Sequence, residues 1–510
     1  MHTLHGLKVL VLGLGASGLA MARWCNRQGA QVSVLDTRPA PPQAQALAQL
    51  VPAVRLLHSS LRAEVLDETG AQAVFISPGL SPAQVQPVVD AALQRAIAVG
   101  SEITLFAQAL LDLQLQTPGE PEHGTPQVLA ITGTNGKTTV TSLTGALVRR
   151  AGKTVAVAGN IGPTLLDTLT HAIDTETLPQ VWVLELSSFQ LHYAQDFEPT
   201  AAVVLNLSQD HLDWHPDLAD YARCKAQIFG KNTLMVLNQD DEAVMAMLPA
   251  PLRSKQGVQL REHICFGAQA PSRAGDYGLE QTNGMVWLVR AMPADESLKK
   301  GRQAQAQELH IQRLMPADAL RIHGRHNACN ALAALALATS AGCAIGPLLY
   351  GLRDFAGEPH RLQSIGMLDG VEYFDDSKGT NVGATVAALG SLGLERKLVV
   401  ILGGQGKGQD FGPLAEPVRR FARAVVLIGR DAALIGQALG GTGVPQAMAE
   451  SMKDAVELAS ASAHTGDAVL MSPACASLDM FRDYGHRAQV FCDAVRAHAL
   501  AHGNGLEWVA

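Results

Sequence analysis

The chain has 510 residues, of which 47% are apolar and 17% are charged, with 48 glycines and 25 prolines. This composition excludes a disordered or fibrous protein, and the length favours about three domains, because one core rarely grows past about 250–300 residues. The net charge of −8 gives the protein no electrostatic reason to coat nucleic acid or an anionic membrane. The seven cysteines include no CxxC pair. We therefore expect neither a disulfide framework nor a zinc site, and a cytoplasmic location.

Two apolar runs look like targeting or membrane segments. Lys8 and the apolar residues 9–22 imitate a secretory signal, but the same run also has the pattern of a strand, a glycine turn and a helix start. Residues 331–352 carry no charge and are long enough to span a bilayer, yet Gly342, Gly346 and Pro347 interrupt them. We predict a strand, turn and helix for the first run, two helices for the second, and no membrane segment.

Strand and helix periodicities alternate along the chain, which predicts an α/β fold. Strand patterns occur at residues 8–12, 31–35, 74–76, 128–131, 154–157, 181–184, 202–205, 371–374, 398–402, 424–428 and 468–471. They fall into three groups, so we predict three domains (1–99, 100–357 and 358–510), each a mainly parallel sheet with helices. We expect residues 113–127 to form a linker or exposed loop, and residues 268–312 a peripheral insertion or small antiparallel excursion.

The first strand leads into a glycine turn that suits a phosphate. Gly13-x-Gly15-x-x-Gly18 opens a helix, whose N-terminal N–H groups can bind an anion. Asp36 ends the second strand, where such folds place an acid that binds ribose, and Thr37 and Arg38 follow it. The pattern predicts a nucleotide-type ligand. A glycine turn needed only for packing of the helix on the strand is the alternative.

A second glycine loop, residues 132–139, follows the strand at 128–131. A strict P-loop pattern needs glycine at position 131, which is isoleucine here, but the physical parts of a P-loop are present. Gly133 and Gly136 free backbone N–H groups for phosphate, Lys137 supplies a cation, and the Thr138 hydroxyl can bind Mg²⁺. Glu185 ends a later strand and is placed to hold Mg²⁺, with a solvated strand-end carboxylate as the alternative. These residues predict an ATP site.

Other polar residues are less specific. His211, in the acidic loop 210–213, offers an imidazole for a second metal or an acyl phosphate. Asn327 and Asn330 lie one turn apart at the start of an alanine-rich helix, where they could bind a base or cap the helix. The tract around Lys225 has the pattern of an ordinary helix with an ordinary surface lysine.

Three strand-end loops in the last third, residues 375–381, 403–407 and 472–479, combine polar side chains with glycine, alanine or serine. Two of them supply a lysine, Lys378 or Lys407, beside flexible backbone, which suits an anionic substrate. Each loop could be a structural turn, but the three together favour a binding pocket.

The motifs occur in one order along the chain: residues 132–139, Asn160, and residues 184–190, 210–213, 326–330, 360–361, 376–381 and 472–479. This order resembles the Mur ligases of peptidoglycan synthesis over nearly the whole chain. The first glycine turn with residues 36–38, and the run 472–479, are most similar to the branch that adds D-glutamate to UDP-N-acetylmuramoyl-L-alanine. The resemblance implies a Rossmann-like UDP-binding domain, a P-loop ATPase central domain and a Rossmann-like C-terminal domain. It also implies an ATP-dependent amide ligase that works through an acyl phosphate.

The resemblance also implies roles for single residues. The UDP-sugar would contact Ala16, Ser17, Asp36, Thr37, Arg38, Gly79 and Asn160. ATP would contact Gly133, Thr134, Asn135, Gly136, Lys137, Thr138, Thr139, Asn330, Arg361 and Asp376. D-Glutamate would contact Lys378, Thr380, Lys407, Ser477, Leu478 and Tyr484. Two Mg²⁺ ions are implied, one on Thr138 and Glu185 and one on His211 and Lys225, the lysine as a carbamate formed with CO₂. The catalytic set would be Lys137, Glu185, His211 and Lys225.

The chain departs from the family pattern in three places. Ala488 stands where glycine is expected, residues 268–312 form a longer region than expected, and Tyr484 stands where phenylalanine is familiar. The alternatives are a Mur-type ligase for another amino acid, a nicotinamide-dependent dehydrogenase suggested by the first glycine turn alone, and a P-loop switch protein. We expect a monomer that acts on small molecules, without nucleic-acid or membrane partners.

Overall fold

The computed structural model describes residues 4–116, 126–211, 214–254, 257–294, 309–322, 324–394 and 396–503. By its internal contacts the chain divides into two compact units. The first unit comprises Met1–Leu207, Asp217–Met315 and Asn330–Arg353, and the second comprises Ser208–Pro216, Pro316–Cys329 and Asp354–Ala510. The first unit holds two of the three large sheets, and the second holds the third. The domain boundaries inferred from the sequence stay a prediction.

The first sheet confirms the βαβ pattern expected for the opening hundred residues. Its elements are β1 (Lys8–Leu12), α1 (Ala16–Arg27), β2 (Gln31–Asp36), α2 (Ala44–Leu50), β3 (Arg55–His58), α3 (Val65–Thr69), β4 (Ala73–Ile76), α4 (Pro82–Gln94), β5 (Ala98–Gly100) and α5 (Glu102–Gln116). All strands pair in parallel in the order β3-β2-β1-β4-β5. The apolar run at residues 9–22 is a strand, a turn and a helix, as predicted.

The second sheet carries the P-loop. The elements of this part of the chain are β6 (Gln127–Thr132), α6 (Lys137–Arg150), β7 (Val155–Gly159), α7 (Leu165–Asp174), β8 (Val181–Glu185), α8 (Ser188–Leu191), β9 (Ala201–Val204), α9 (Leu218–Ala226), β10 (Leu234–Asn238), α10 (Glu242–Met245), β11 (Leu252–Ser254), β12 (Gly257–Gln259) and β13 (His263–Phe266). Strands pair in parallel in the order β13-β10-β9-β6-β8-β7. Because β6 lies between β8 and β9, the loops after these three strands meet at one edge of the sheet.

The expected insertion is a small antiparallel sheet, with strands in the order β14-β15-β16. The next elements are β14 (Tyr277–Thr282), β15 (Met285–Pro293), β16 (Leu309–Pro316), α11 (Arg325–Ser340) and α12 (Ile345–Asp354). Residues 295–308 lie outside the described residues. The linker prediction is wrong for residues 113–116, which continue α5 because Leu113 packs on the core. The prediction is also wrong for Gln127, which begins β6, and residues 117–125 are outside the described residues.

The uncharged stretch 331–352 forms parts of α11 and α12 with a turn between them, as predicted. Its alanines and leucines are buried: the side chains of residues 331–338 are inaccessible to solvent. Among the described helices, none combines the length and hydropathy that crossing a bilayer requires.

The third sheet lies in the second unit. Its elements are β17 (Gln363–Leu368), β18 (Val371–Asp375), α13 (Val382–Leu392), β19 (Leu398–Gly403), α14 (Ala415–Phe421), β20 (Ala422–Ile428), α15 (Ala432–Leu439), β21 (Gln446–Ala449), α16 (Met452–Ser462), β22 (Ala468–Met471) and α17 (Tyr484–Ala501). The order is β17-β18-β22-β19-β20-β21, parallel except for the edge strand β17. The carboxyl ends of β18, β22 and β19 are therefore adjacent, and the three polar loops leave from them.

The first two sheets share one hydrophobic core. A single cluster of buried side chains runs from Val11 of β1 through Phe106 of α5 to Trp182 of β8. The Phe106 and Trp182 rings meet edge to face with centroids 5.1 Å apart. Ion pairs of 2.7 Å and 2.6 Å join Arg23 and Arg27 of α1 to the α7 residues Asp167 and Asp174.

Glu102, the first residue of α5, is buried where α5, α1 and α7 come together. Its side chain is 2% exposed, and Oε1 accepts a hydrogen bond from the Leu166 N–H at 3.1 Å. Oε2 is buried and has no hydrogen-bond partner within the described part of the chain. Burial raises the pKa of Glu102 to about 7. The carboxyl is therefore costly to ionise in the folded protein.

We expect Glu102→Gln to change how stability depends on pH. The folded pKa lies above the unfolded value of about 4.3, so the wild-type stability is complete below that value and falls as the pH rises through about 7. The neutral amide removes this fall, which amounts to at most about 4 kcal/mol in total and to about 3 kcal/mol between pH 5 and pH 8. Urea unfolding of both proteins at pH 5 and pH 8 measures it. The exposed Glu64→Gln is the control, and equal pH dependence of E102Q and wild type would contradict the assignment.

Candidate functional site

The loop between β6 and α6 is held in shape by Asn206, which follows β9. The Asn206 carbonyl accepts from the Thr134 N–H at 2.9 Å, and its Oδ1 accepts from the Asn135 N–H at 2.8 Å. The Asn206 Nδ2 donates back to the Asn135 carbonyl at 3.1 Å. Gly133, with φ +152°, passes so close to Leu205 that a Cβ would lie 2.9 Å from the leucine Cβ. Asn206, through its backbone carbonyl and its side chain, thus fixes the shape of the P-loop.

Two lysines converge on this loop. The Lys137 Nζ donates to the carbonyls of Gly133 and Thr134, each at 2.8 Å. The Lys225 Nζ donates to the same Gly133 carbonyl at 2.9 Å and to the Thr132 Oγ1 at 3.2 Å. Two cations on one carbonyl oxygen create a positive field at the N-terminus of α6, which is where an anion binds best.

The interpretation of Lys225 as an ordinary surface lysine is wrong. Its side chain is 1% exposed, and its Nζ lies 4.5 Å from the centroid of the Tyr221 ring. The Tyr221 hydroxyl donates to the Thr134 Oγ1 at 3.2 Å. The cause is the i, i+4 spacing of Tyr221 and Lys225, which puts both on the face of α9 that packs beneath the loop.

Glu185 and Asn160, assigned to different ligands, lie together. The Asn160 Nδ2 donates to the Glu185 Oε1 at 2.8 Å, and the Asn160 N–H donates to the Glu185 carbonyl. Glu185 is 2% exposed, so the alternative of a solvated strand-end carboxylate is wrong. Within the described residues, its buried Oε2 has no hydrogen-bond partner. A buried, unpartnered carboxylate oxygen fits a Mg²⁺ ligand, and the buried Thr138 supplies the hydroxyl that such a site uses.

Asn330 lies beside the glycine that begins α6. A Cβ on Gly136, whose φ is +84°, would lie 2.8 Å from the Asn330 Oδ1. Asn330 is 8% exposed. The side chain predicted to bind a nucleotide base or cap a helix is thus placed at the P-loop. Thr139, also assigned to ATP, is a buried residue in the first turn of α6.

His211 belongs to the second unit, whereas Lys225 belongs to the first. His211 has a left-handed backbone with φ +56°, and its Nε2 lies 3.6 Å from the Asp210 Oδ2. Asp210 also accepts from the His211 N–H at 2.9 Å through Oδ1 and from the Asn381 Nδ2 at 3.2 Å through Oδ2. Asp213 of the acidic loop, and His323, which precedes α11, fall outside the described residues.

The first glycine turn is built around Asp36. The turn is tight, since a Cβ on Gly18 would lie 2.0 Å from the Gly13 carbonyl oxygen. The Asp36 Oδ2 accepts from the Leu14 N–H at 2.7 Å, and both carboxylate oxygens accept from the Arg38 guanidinium. These hydrogen bonds from Arg38 lower the pKa of Asp36 to about 2. Asp36 therefore orients Arg38, which is half exposed beside the loop.

The remaining residues assigned to the UDP-sugar surround this turn. Ala16 and Ser17 begin α1, Ala16 and Thr37 are exposed, and Gly79 has open space where a Cβ would stand. The structure brings these residues to the carboxyl edge of the first sheet.

Asp376 is the buried acid of the second unit. Its Oδ2 accepts from the Ser472 hydroxyl at 2.7 Å, and its Oδ1 accepts from the Leu362 N–H at 3.2 Å. Burial raises the pKa of Asp376 to about 7, although Arg361 opposes this shift. Burial, with the nearby Arg361 charge, lowers the pKa of His326 to about 4. Arg361 and Asp376, both assigned to the nucleoside of ATP, thus lie in one electrostatic environment.

Lys378 and Tyr484 meet at the start of α17. The Lys378 Nζ lies 5.3 Å from the Tyr484 ring centroid, an arrangement in which the ring face attracts a cation. The Ser377 hydroxyl donates to the Tyr484 carbonyl at 2.7 Å. Thr380 lies in the same loop, half-buried, and its N–H donates to the Lys378 carbonyl.

The two other loops are joined directly. Gln405 and Ala476 exchange two backbone hydrogen bonds of 2.9 Å, so the loop with Lys407 pairs with the loop with Ser477. Lys407 has φ +53°, Ser477 is buried, and Leu478 is 65% exposed. Five of the six residues assigned to D-glutamate therefore lie on loops at the carboxyl edge of the third sheet, and the sixth, Tyr484, begins α17.

Arg487 links these loops and was missed by the sequence interpretation. It is 1% exposed, and its guanidinium donates to the Ser377 Oγ and carbonyl and to the Cys475 carbonyl. Burial lowers the pKa of Arg487 to about 10. Asn206 directly follows the strand pattern at residues 202–205, and its role in shaping the P-loop was not predicted. In the sequence, each is only a polar residue near a glycine- or serine-rich loop. Such a pattern is too common to identify a functional residue.

Three family models match this chain. The Mur ligase middle domain matches residues 131–338, the MurD-like N-terminal domain of Mur ligases matches residues 7–103, and the glutamate ligase domain of Mur ligases matches residues 360–475.

Curated relatives match along the full length. A UDP-N-acetylmuramoylalanine–D-glutamate ligase from Albidiferax ferrireducens is 62% identical over 511 residues, covering 100% of both chains. Proteins of the same name from Polaromonas sp. and Paraburkholderia phymatum are each 54% identical, covering 99% and 97% of this chain and 100% and 97% of theirs.

Solved structures agree with the fold. The MurF ligase of Thermotoga maritima in complex with ADP matches with a TM-score of 0.55 and 15% identity, covering 97% of this chain and 96% of its own. The UDP-N-acetylmuramate–alanine ligase of the same organism matches with a TM-score of 0.54 and 18% identity, covering 96% and 100%.

Gly136→Ala tests whether the glycine at the N-terminus of α6 is needed for the contact with Asn330. We expect ATP affinity to fall at least tenfold, because the new methyl group pushes the Asn330 amide away from the loop. Gly152→Ala is a matched control, since its φ of +85° imposes the same backbone strain of about 1 kcal/mol with open space around the Cβ. Calorimetric titration with ATP measures both, and equal loss of affinity in the two variants would refute the contact.

Proposed function

Because the chain belongs to the Mur ligase family, we propose that it joins D-glutamate to UDP-N-acetylmuramoyl-L-alanine in an ATP-dependent amide ligation of peptidoglycan synthesis. The observation that carries this proposal is the full-length, 62% identity to a ligase of that name. The convergence of two lysines on a glycine loop supplies the physical basis for ATP use.

The loop residues bind and position the phosphates. The N–H groups of the first turn of α6 would donate to the phosphate oxygens, whereas those of Thr134 and Asn135 already donate to Asn206, and Lys137 would exchange its two carbonyl partners for the phosphate. Positioning and charge neutralisation are most of what phosphoryl transfer requires, so this loop lowers the barrier for attack by the L-alanyl carboxylate on the γ-phosphate. The products of that step are ADP and an acyl phosphate; the amine of D-glutamate then attacks the acyl carbon, and phosphate and a proton are released as the amide forms.

Glu185 and Thr138 are the residues that would hold Mg²⁺, which supplies charge neutralisation at the transferred phosphoryl group. Asn160 holds the Glu185 carboxylate in place through its 2.8 Å hydrogen bond. His211 and a carbamylated Lys225 would serve a second Mg²⁺. Support for the carbamate is the burial of Lys225, since the neutral amine that adds CO₂ is favoured away from water.

The first glycine turn is assigned to the uridine diphosphate, with Arg38 as the charged donor that Asp36 orients. Arg361 and Asp376, with Asn330 of the first unit, are assigned to the nucleoside of ATP. Support for the role of Asp376 is its raised pKa, because a carboxyl near neutrality can both donate and accept hydrogen bonds.

Lys378, Lys407 and Ser477 are assigned to the carboxylates of D-glutamate. Tyr484 suits this site although phenylalanine is familiar at this position, because the face of its ring attracts the Lys378 ammonium at 5.3 Å. We also propose a monomer in the cytoplasm, without nucleic-acid or membrane partners.

The substrate assignment predicts phosphate release from ATP only with D-glutamate. The assay contains UDP-N-acetylmuramoyl-L-alanine and compares D-glutamate, L-glutamate, L-alanine and a diamino acid in parallel. Release with another amino acid would overturn the substrate while leaving the ligase mechanism. No release with any amino acid would refute the ligase and leave a switch protein or a dehydrogenase.

The carbamate predicts a dependence on CO₂ and a spectroscopic signal. Protein incubated with ¹³C-bicarbonate is expected to show a carbamate carbon resonance that is absent in Lys225→Arg. Lys231→Arg, at an exposed lysine near the end of the same segment, is the control and should keep the resonance. A wild-type protein without the resonance, but with full activity in CO₂-depleted buffer, would exclude the carbamate.

A further inference from the structure

A second polar face of α9 points away from the P-loop. Tyr221 and Lys225 face the loop, whereas Asp220 and Cys224, also one turn apart, face the end of α8. There they meet His192, the residue that ends α8. Within the described residues, these three form a group of histidine, cysteine and carboxylate side chains whose donor atoms all lie within 4.8 Å of one another.

We propose that His192, Asp220 and Cys224 form a binding site for a thiophilic divalent cation, with Zn²⁺ as the ion of choice. An imidazole, a thiolate and a carboxylate are the three ligand types that zinc prefers, and a water completes the tetrahedron. None of the three residues belongs to the ligase site assigned above.

The spacing of the donor atoms fits a tetrahedral ion. The His192 Nδ1 lies 3.2 Å from the Cys224 Sγ, and the Asp220 Oδ2 lies 3.9 Å from the same sulfur. In an ideal tetrahedral zinc site, the distance between a sulfur ligand and a nitrogen or oxygen ligand is about 3.6 Å. The His192 and Asp220 donor atoms lie within 4.8 Å of each other, so modest side-chain adjustments would bring all three donors onto one ion.

The surroundings also suit a closed site. Cys224 is fully buried, the Asp220 side chain is 16% exposed, and His192 is half-buried with its ring edge to face against Tyr193. The Arg223 guanidinium, 58% exposed, pairs with Asp220 and provides the positive charge that the cation would replace. On metal binding, Asp220 exchanges this partner for the ion, and the thiol proton of Cys224 passes to solvent.

The consequence of occupancy is mechanical. The ion connects the end of α8 to α9, the helix that carries Lys225. It therefore fixes the helix that supports the P-loop without contacting a substrate.

Cobalt binding tests the site, because Co²⁺ replaces Zn²⁺ and a cobalt–thiolate bond gives a sulfur-to-metal charge-transfer absorption. We expect the reduced full-length protein to show this band with one equivalent of Co²⁺ and to lose it on addition of Zn²⁺. Cys224→Ala should abolish the band. Cys492→Ala, at another free thiol, is the matched control and should retain it.

His192→Ala, at a half-buried position, guards against misfolding of the cysteine variant. Its Zn²⁺ affinity, measured by competition with a chromophoric chelator, should fall at least tenfold relative to wild type. A band that persists in C224A, a wild-type protein without a band, or wild-type Zn²⁺ affinity in H192A would each overturn the proposal.

Discussion

The proposed ATP site depends on the carbonyl oxygen of Gly133. This oxygen accepts hydrogen bonds from two lysines, so their ammonium groups are no more than about 6 Å apart. At an effective dielectric constant of about 20, that repulsion costs on the order of 3 kcal/mol. The fold maintains this arrangement because Asn206 fixes the loop and α9 delivers Lys225 from below. An anion bound at the loop, or the carbamate proposed for Lys225, would remove this repulsion.

The sequence predicted the α/β class, the three parallel sheets and the glycine loops well, because each strand ends in a polar or glycine residue and is followed by a helical period. Parallel strands place such ends on one edge, so Glu185 could be assigned from its position alone. Lys225 could not, since burial of a helical lysine depends on a loop almost a hundred residues earlier. Its role came only from the family resemblance. The hydrogen-bond partners of Glu185 and Asp36 could not be predicted from the sequence either.

The second unit shows the same limit in another form. The three loops were recognised as a group because each follows a strand, but the guanidinium of Arg487 holds two of them together, and backbone hydrogen bonds between Gln405 and Ala476 join the third. A buried arginine must satisfy its donors, and here backbone carbonyls and a hydroxyl from two loops do so. Two of the loops that would bind a dicarboxylate are thus braced by a buried cation. Arginine in an amphipathic helix gives no sign of this in the sequence.

The hydrophobic cluster that runs from β1 through α5 to β8 determines how this enzyme can be recombined with its relatives. A chimera joined at residue 100 would pair α1 of one protein with α5 and α7 of another, and would have to match the packing of the shared core and two ion pairs at once. The first two sheets therefore have to be exchanged as one piece, even though each has the strand order of a separate nucleotide-binding fold. A chimera that exchanges substrate recognition between these sheets would therefore need all helices of the shared core to come from the same parent.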